Sequence, residues 1–288
     1  MKQSKVKEYF RPESVAEALR ILSGYPGAIR VIAGGTDLFT ADHLDMEALL
    51  DVDKLGLAYV REEAGTLHIG AATTFAEIAK SPLIREKFTA LQEAARQLAD
   101  RSTRNMATIG GNVCTALPSG DAIAPLAAAG ARFLTATPAG EKRYGVEDFF
   151  LGPRRTVLEK GDILTEIQIP ACGAGEATAF EKMGRNSEDL AIVNVAVKVR
   201  VNADGSVAAA AVAHGAVAPT VVRSTALEQA LAGKKLCEDC LDEYCQLVDQ
   251  AIAPIDNIRA TAAYRRECSR VLTKRALLRA YEAAGRRA

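Results

Sequence analysis

Two places where a short apolar run stops at a pair of glycines restrict this chain more than any other feature. One is Val31-Ile32-Ala33-Gly34-Gly35-Thr36-Asp37-Leu38. The other is Thr108-Ile109-Gly110-Gly111-Asn112, inside the segment Arg104 to Leu126. Adjacent glycines remove both Cβ atoms, so the backbone can take φ > 0 and a ligand can approach its N–H groups. Successive exposed N–H groups make a concave anion site that suits a phosphate or pyrophosphate. Thr36, Asn112, Thr115 and Ser119 can add neutral hydrogen bonds. Asp121, ionised at neutral pH, suits a ribose hydroxyl better than a phosphate. Either pair alone is also the composition of a plain turn, so the weight lies on the two together, with Asn after one and Thr-Asp after the other. No Gly-Lys-Ser/Thr follows either pair, and G-x-G-x-x-G is missing. A P-loop NTPase and an ordinary Rossmann site are therefore poor readings.

The 288 residues suffice for two or three domains with a sizeable core. Their formal charge is zero and they contain no Trp. Nucleic-acid binding over a long surface needs a basic excess and stacking aromatics, so nucleic acid is not the expected partner. No apolar run reaches the roughly 18–20 residues that span a bilayer. The opening MKQSKVKEYFRPE carries no hydrophobic signal core, and a cytoplasmic location is the expectation.

In chain order, Ser14 and Glu17 have capping-box spacing before a helix with Val15, Ala18, Leu19 and Leu22 on one face. Ile29 to Ala33 reads as a buried strand that delivers the first glycine pair. A helix–strand passage follows, with a strand at 49–52. A hairpin is expected over 58–60 and 66–70, with His68 on its wetter face. Helices follow at 75–80, 89–99 and 122–130. Arg101 and Arg104 lie just before the second glycine pair, where a diphosphate can use one of them, although solvated arginines or partners of local carboxylates fit equally. Strands are read at 132–137, 141–144 and 163–169, with a turn at 146–150. After a linker at 171–176 come a strand at 179–183, a polar loop at 184–189, and strands alternating strongly over 190–201 and 207–214. Helices at 224–232, 237–252 and 262–284 complete an α+β chain of three units: 1–55, 56–172 and 176–288.

Of six cysteines, Cys237, Cys240 and Cys245 could form a metal or iron–sulfur site if Cys268 completed the set. The leucines among them have helical spacing, so thiols on a helix surface or in the core are the favoured reading, and no metal site is assigned. No Ser–His–Asp order stands out, and no side chain is assigned as catalytic.

AGGTDL (33–38) followed by ATIGGNVCTALPSGDAIAPL (107–126) resembles the flavin-binding medium subunit of the xanthine dehydrogenase and carbon monoxide dehydrogenase family of molybdenum hydroxylases. The likeness continues through YFRPESVAEAL (9–19), GDILTEIQIP (161–170), AFEKMGRNSEDLAIVNVAV (179–197) and IRATAAYRRECSRVLTKRAL (258–277). It implies a two-part FAD-binding domain of the vanillyl-alcohol-oxidase-like type, then a C-terminal domain of antiparallel sheet and helix bundle. It also implies FAD contacts from Val31, Ile32, Ala33, Gly34, Gly35, Thr36, Asp37 and Leu38. Further contacts would come from Ala107, Thr108, Gly110, Gly111, Asn112, Cys114, Thr115, Gly120 and Asp121, the last at the ribose or adenosine portion. Ile163 and Leu164 would pack on the cofactor, Lys182 would lie near the flavin and raise its potential, and Leu190 would approach the ring. Gly35 stands where some relatives carry a polar residue, so one side-chain contact would be missing. The implied partners are a [2Fe-2S] subunit and a molybdopterin subunit, with NAD+ or another acceptor taking the electrons. The alternatives are a flavin-free iron–sulfur or scaffold subunit built on the C-terminal cysteines, and a nucleotide-binding sensor without turnover.

Overall fold

Ser14 starts the first helix by accepting the Glu17 N–H. The Glu17 carboxylate accepts from Glu13 rather than from Ser14, so the expected capping box is only half made. The structure, a computed structural model, describes residues 6–40 and 45–288. Its first group of elements is β1 (Glu8–Phe10), α1 (Val15–Gly24), β2 (Ile29–Ile32) and β3 (Ala48–Asp51). They form a parallel sheet in the order β1-β3-β2. A parallel connection needs a crossover, which α1 supplies between β1 and β2. The helix expected between the first glycine pair and β3 is only a 3-10 turn, Leu38–Thr40, and residues 41–44 lie outside the described part.

The second group opens with the hairpin β4 (Val60–Glu63) and β5 (Thr66–Gly70), so the first strand starts two residues later than expected. Six helices follow: α2 (Phe75–Lys80), α3 (Pro82–Lys87), α4 (Thr89–Gln97), α5 (Arg101–Met106), α6 (Ile109–Thr115) and α7 (Ile123–Ala129). Then come β6 (Arg132–Thr137), β7 (Gly140–Gly145), α8 (Val146–Phe149), a small ribbon of β8 (Phe150–Gly152) and β9 (Arg155–Thr156), and β10 (Ile163–Pro170). The expected turn at 146–150 is thus one turn of helix running into a strand. The antiparallel sheet order is β4-β5-β10-β6-β7. Leu67 and Ile69 point into the core. His68 faces the other way and meets Glu166 at 2.9 Å, beside Tyr59 and Gln168. A register shift between Leu164 and Glu166 breaks the strict alternation of β10. As a result Ile163 belongs to the core of the first group and Leu164 to that of the second.

The third group is an antiparallel sheet, β11 (Glu176–Met183), β12 (Val193–Val201), β13 (Val207–Gly215) and β14 (Val222–Arg223). It is followed by α9 (Thr225–Leu231), α10 (Glu238–Tyr244) and α11 (Ala262–Gly285). Strand β12 was expected to alternate, yet almost all of it is buried. Helices α4 and α7 cover one face of this sheet and α11 the other, so a strand buried on both sides needs apolar residues on both. Phe180, Ala196 and Ala213 consequently belong to the core of the second group. Glu93 on α4 accepts the Phe180 N–H at 2.8 Å and also pairs with Arg279 on α11, which in turn reaches Glu181. The expected helix 237–252 breaks at Cys245 into 3-10 turns.

Candidate functional site

The first glycine pair rests on the segment that leads into the second. A Cβ on Gly34 would lie 1.8 Å from the Met106 carbonyl oxygen, so only glycine lets β2's exit turn rest on the end of α5. Gly35 has φ +69°, a left-handed conformation that side chains disfavour. Among the described residues nothing accepts the N–H groups of Gly34, Gly35, Thr36 or Asp37. The first turn therefore offers a run of unspent donors, the arrangement that binds an anion.

The second pair behaves differently. Residues 109–115 form the short helix α6 rather than the expected loop, and Thr108 caps it by accepting the Gly111 N–H at 3.1 Å. The Ile109 N–H goes to Thr73 O, that of Gly110 to Ala71 O, and that of Asn112 to Thr108 O. The bare-donor reading is thus wrong for these glycines, because their N–H groups are already used. Gly110 is needed because a Cβ would meet Ala71 O at 2.5 Å, whereas Gly111 is exposed and a Cβ there would touch only the Thr108 hydroxyl. What α6 offers is a bare wall at Gly111 and the side chains of Asn112 and Thr115. The Asn112 Oδ1 already accepts the Ala122 N–H at 3.4 Å, which leaves its amide N–H groups for the cleft.

Between the turn and α6 lies a cleft of about 870 Å³, within the size range of clefts that enclose small-molecule ligands. All the residues expected from the sequence to touch a cofactor line it, from Val31–Leu38 through Ala107–Asp121 to Ile163, Leu164, Lys182 and Leu190. Ile163, Leu164, Val52, Leu57 and Ala71 supply apolar surface. Lys182, from the third group of elements, closes one end. Its Nζ lies 2.7 Å from Asp121 Oδ2 and 3.0 Å from Gln97 O, and both charged side chains are about 5% exposed. Asn194 donates to the other Asp121 oxygen at 3.4 Å. Burial pushes the Asp121 carboxyl up to about 6, even though Lys182 and Asn194 act in the opposite direction. Asp121 and Lys182 were expected at opposite portions of the ligand. They form one ion pair, so they serve the same end. Cys114 lines the cleft and is exposed to it.

Arg104, one of the two expected cations, donates instead to the carbonyls of Leu98 and Ala99. Arg154, which lines the cleft together with Arg30 and Arg155, bonds Asp37 at 2.9 Å. Its φ is +59°, and its N–H bonds Ala116 O. Sequence reasoning missed it, because an arginine in a non-periodic loop after Gly152-Pro153 carries no positional signal. Cys237 and Cys240 cap α10 through each other's thiols and backbone, while Cys245 and Cys268 lie in the core. Those local roles account for the C-terminal cysteines.

Residues 3–172 match the family described as FAD binding domain in molybdopterin dehydrogenase. The chain belongs to this FAD-binding family. Residues 178–280 match a second description, CO dehydrogenase flavoprotein C-terminal domain. The chain is 31% identical to the carbon monoxide dehydrogenase medium chain of Hydrogenophaga pseudoflava, over 94% of this chain and 95% of that one. It is equally identical to the glyceraldehyde dehydrogenase medium chain of Sulfolobus acidocaldarius, over 93% and 96%. A solved structure of the Hydrogenophaga pseudoflava carbon monoxide dehydrogenase superposes with a TM-score of 0.92 at 32% identity, covering 97% of this chain and 98% of that one. The chain is accordingly an FAD-binding oxidoreductase subunit of the molybdenum hydroxylase type, and its α+β fold is that of the carbon monoxide dehydrogenase medium chain. The cleft suits FAD in kind: unspent N–H donors for a diphosphate, a Cβ-free wall beside them, and an apolar floor ending at a polar pair. No helix among the described residues is long and apolar enough to cross a membrane.

Proposed function

We propose that the FAD diphosphate lies on the N–H groups of residues 34–37, with the Gly111 face opposite and Asn112 and Thr115 as side-chain donors. FAD supplies the redox chemistry: it takes up electrons singly and releases them as a pair. This chain's residues bind, orient and exclude water. The apolar floor of Ile163 and Leu164 excludes solvent. Lys182 and Asp121 offer both a donor and an acceptor to the portion that reaches them. Because Asp121 neutralises Lys182, the pair raises the flavin potential less than a free lysine would. Residues 1–55, 56–172 and 176–288 act as three units, the first two gripping the cofactor and the third supplying Lys182 and Leu190.

In the cell the chain would serve as the middle carrier of a complex. A [2Fe-2S] subunit would pass it electrons that a molybdopterin subunit removes from the substrate, and NAD+ or another acceptor would take them from the flavin. The relatives' names support the subunit role, and their differing activities leave the organic substrate to the partner chain. The carrying observation is the run of unspent donors at 34–37, held in place by the Gly34–Met106 contact. Purified chain should carry close to one FAD by absorbance. Protein that stays colourless when FAD is added would remove the proposal. Reduction of the reconstituted complex by its substrate, followed by addition of NAD+, tests the acceptor separately.

A further inference from the structure

Behind the 117–119 turn is a second cavity of about 320 Å³, which shares Leu117, Ser119 and Pro153 with the large cleft. Two arginines line it, Arg259 and Arg265. Arg265 is 3% exposed, yet its guanidinium meets only neutral acceptors: the Ile192 carbonyl, Ala216 O at 3.0 Å and Asn257 Oδ1 at 2.9 Å. The Nε atoms of both arginines are buried, with no acceptor among the described residues. The acid that feels Arg259, Asp189, is already held by Arg185. Burial and the Arg259 charge both weaken Arg265's hold on its proton. Two cations facing one desolvated cavity without a carboxylate between them are costly, and buried donors are normally paired.

The loop that presents them is fixed. Asn257 Oδ1 also accepts the N–H groups of Arg259 and Ala260, and Asn257's own N–H bonds Ala260 O. The Ala253 N–H bonds Val217 O across the cavity's rim. Most of the remaining lining is apolar, including Pro118, Pro219, Pro254, Ala191 and Val217.

We infer that this cavity binds a small organic carboxylate, its charge met by the Arg259 and Arg265 guanidiniums that line the cavity and its apolar body against the prolines. Most of the lining is apolar, which leaves a phosphate dianion poorly solvated there. Through the shared 117–119 turn, the occupant would sit beside the large cleft. The site stands independently of the FAD assignment.

Titration calorimetry on the purified full-length chain tests this, with benzoate as the probe, benzyl alcohol as the neutral control and inorganic phosphate as the second anion. Flavin content is measured on the same samples. One benzoate should bind per chain with Kd near 1 mM or tighter (about −4 kcal/mol). Benzyl alcohol and phosphate should bind at least about tenfold more weakly. Arg259→Gln, at a partly exposed position, should keep the fold and its flavin content while weakening benzoate about tenfold or more. Equal affinity in Arg259→Gln, equal affinity for benzyl alcohol, or displacement of benzoate by FAD would each overturn the inference, as would heats that never saturate.

Discussion

The two Gly-Gly turns share a dipeptide and almost nothing else. At 34–35 the first glycine lets two backbones touch, the second allows a left-handed bend, and the next N–H groups stay unspent. At 110–111 the N–H groups are consumed by the fold. Gly110 exists for contact with Ala71, and only Gly111 leaves open space. The same two letters therefore encode donors in one place and clearance in the other, and the difference is visible only once each N–H and each absent Cβ has been followed to its neighbour.

The largest expected effect is that of Gly34→Ala. Its Cβ would overlap the Met106 backbone carbonyl, so the exit turn of β2 and the end of α5 must separate. Unfolding by denaturant should show a loss of about 3 kcal/mol or more, together with loss of flavin. Near-wild-type stability with bound FAD would break the claim that this contact sets the cleft. Next, Gly110→Ala should cost about 2 kcal/mol, because Ala71 can give a little, and flavin should be retained in the fraction that folds.

The third test separates the two roles. Gly111→Val should shift stability by no more than about 1 kcal/mol, through its push on the Thr108 cap. It should weaken FAD by about tenfold or more, some 1.4 kcal/mol, as read by flavin release on dilution. Unchanged FAD affinity would assign the wall to another surface.

The smallest effect concerns the shared end of the cleft. Asp121 holds its proton up to about 6 in the folded chain, against about 3.9 when unfolded. This carboxyl's contribution is fully present below the unfolded value and is lost as pH rises through about 6, since the folded state binds the extra proton. Asp121→Asn should flatten that part of the melting temperature–pH curve between pH 4 and 7. A parallel curve would show that Lys182 keeps Asp121 ionised throughout.

Much of this was legible in advance for local reasons. Ser14, Thr74 and Gly130 mark helix ends by chemistry that acts within a few residues, and Leu67-His68-Ile69 announces its faces by alternation. What the sequence hid depends on distant partners. Strand β12 loses its alternation because helices cover both faces. A bulge after Leu164 puts Leu164 rather than Ile163 on the face of Ile167 and Ile169. Asp121 and Lys182, 61 positions apart, form one buried ion pair. Arg154 sits in a loop whose course is set by a bond to Ala116. That these residues line one cleft was readable because the cleft is built from contiguous stretches, whereas the course of each N–H within it was not.

Glu93 ties a helix of the middle group to both a strand and the long helix of the last. One carboxylate therefore serves two seams, and replacing it would loosen both at once.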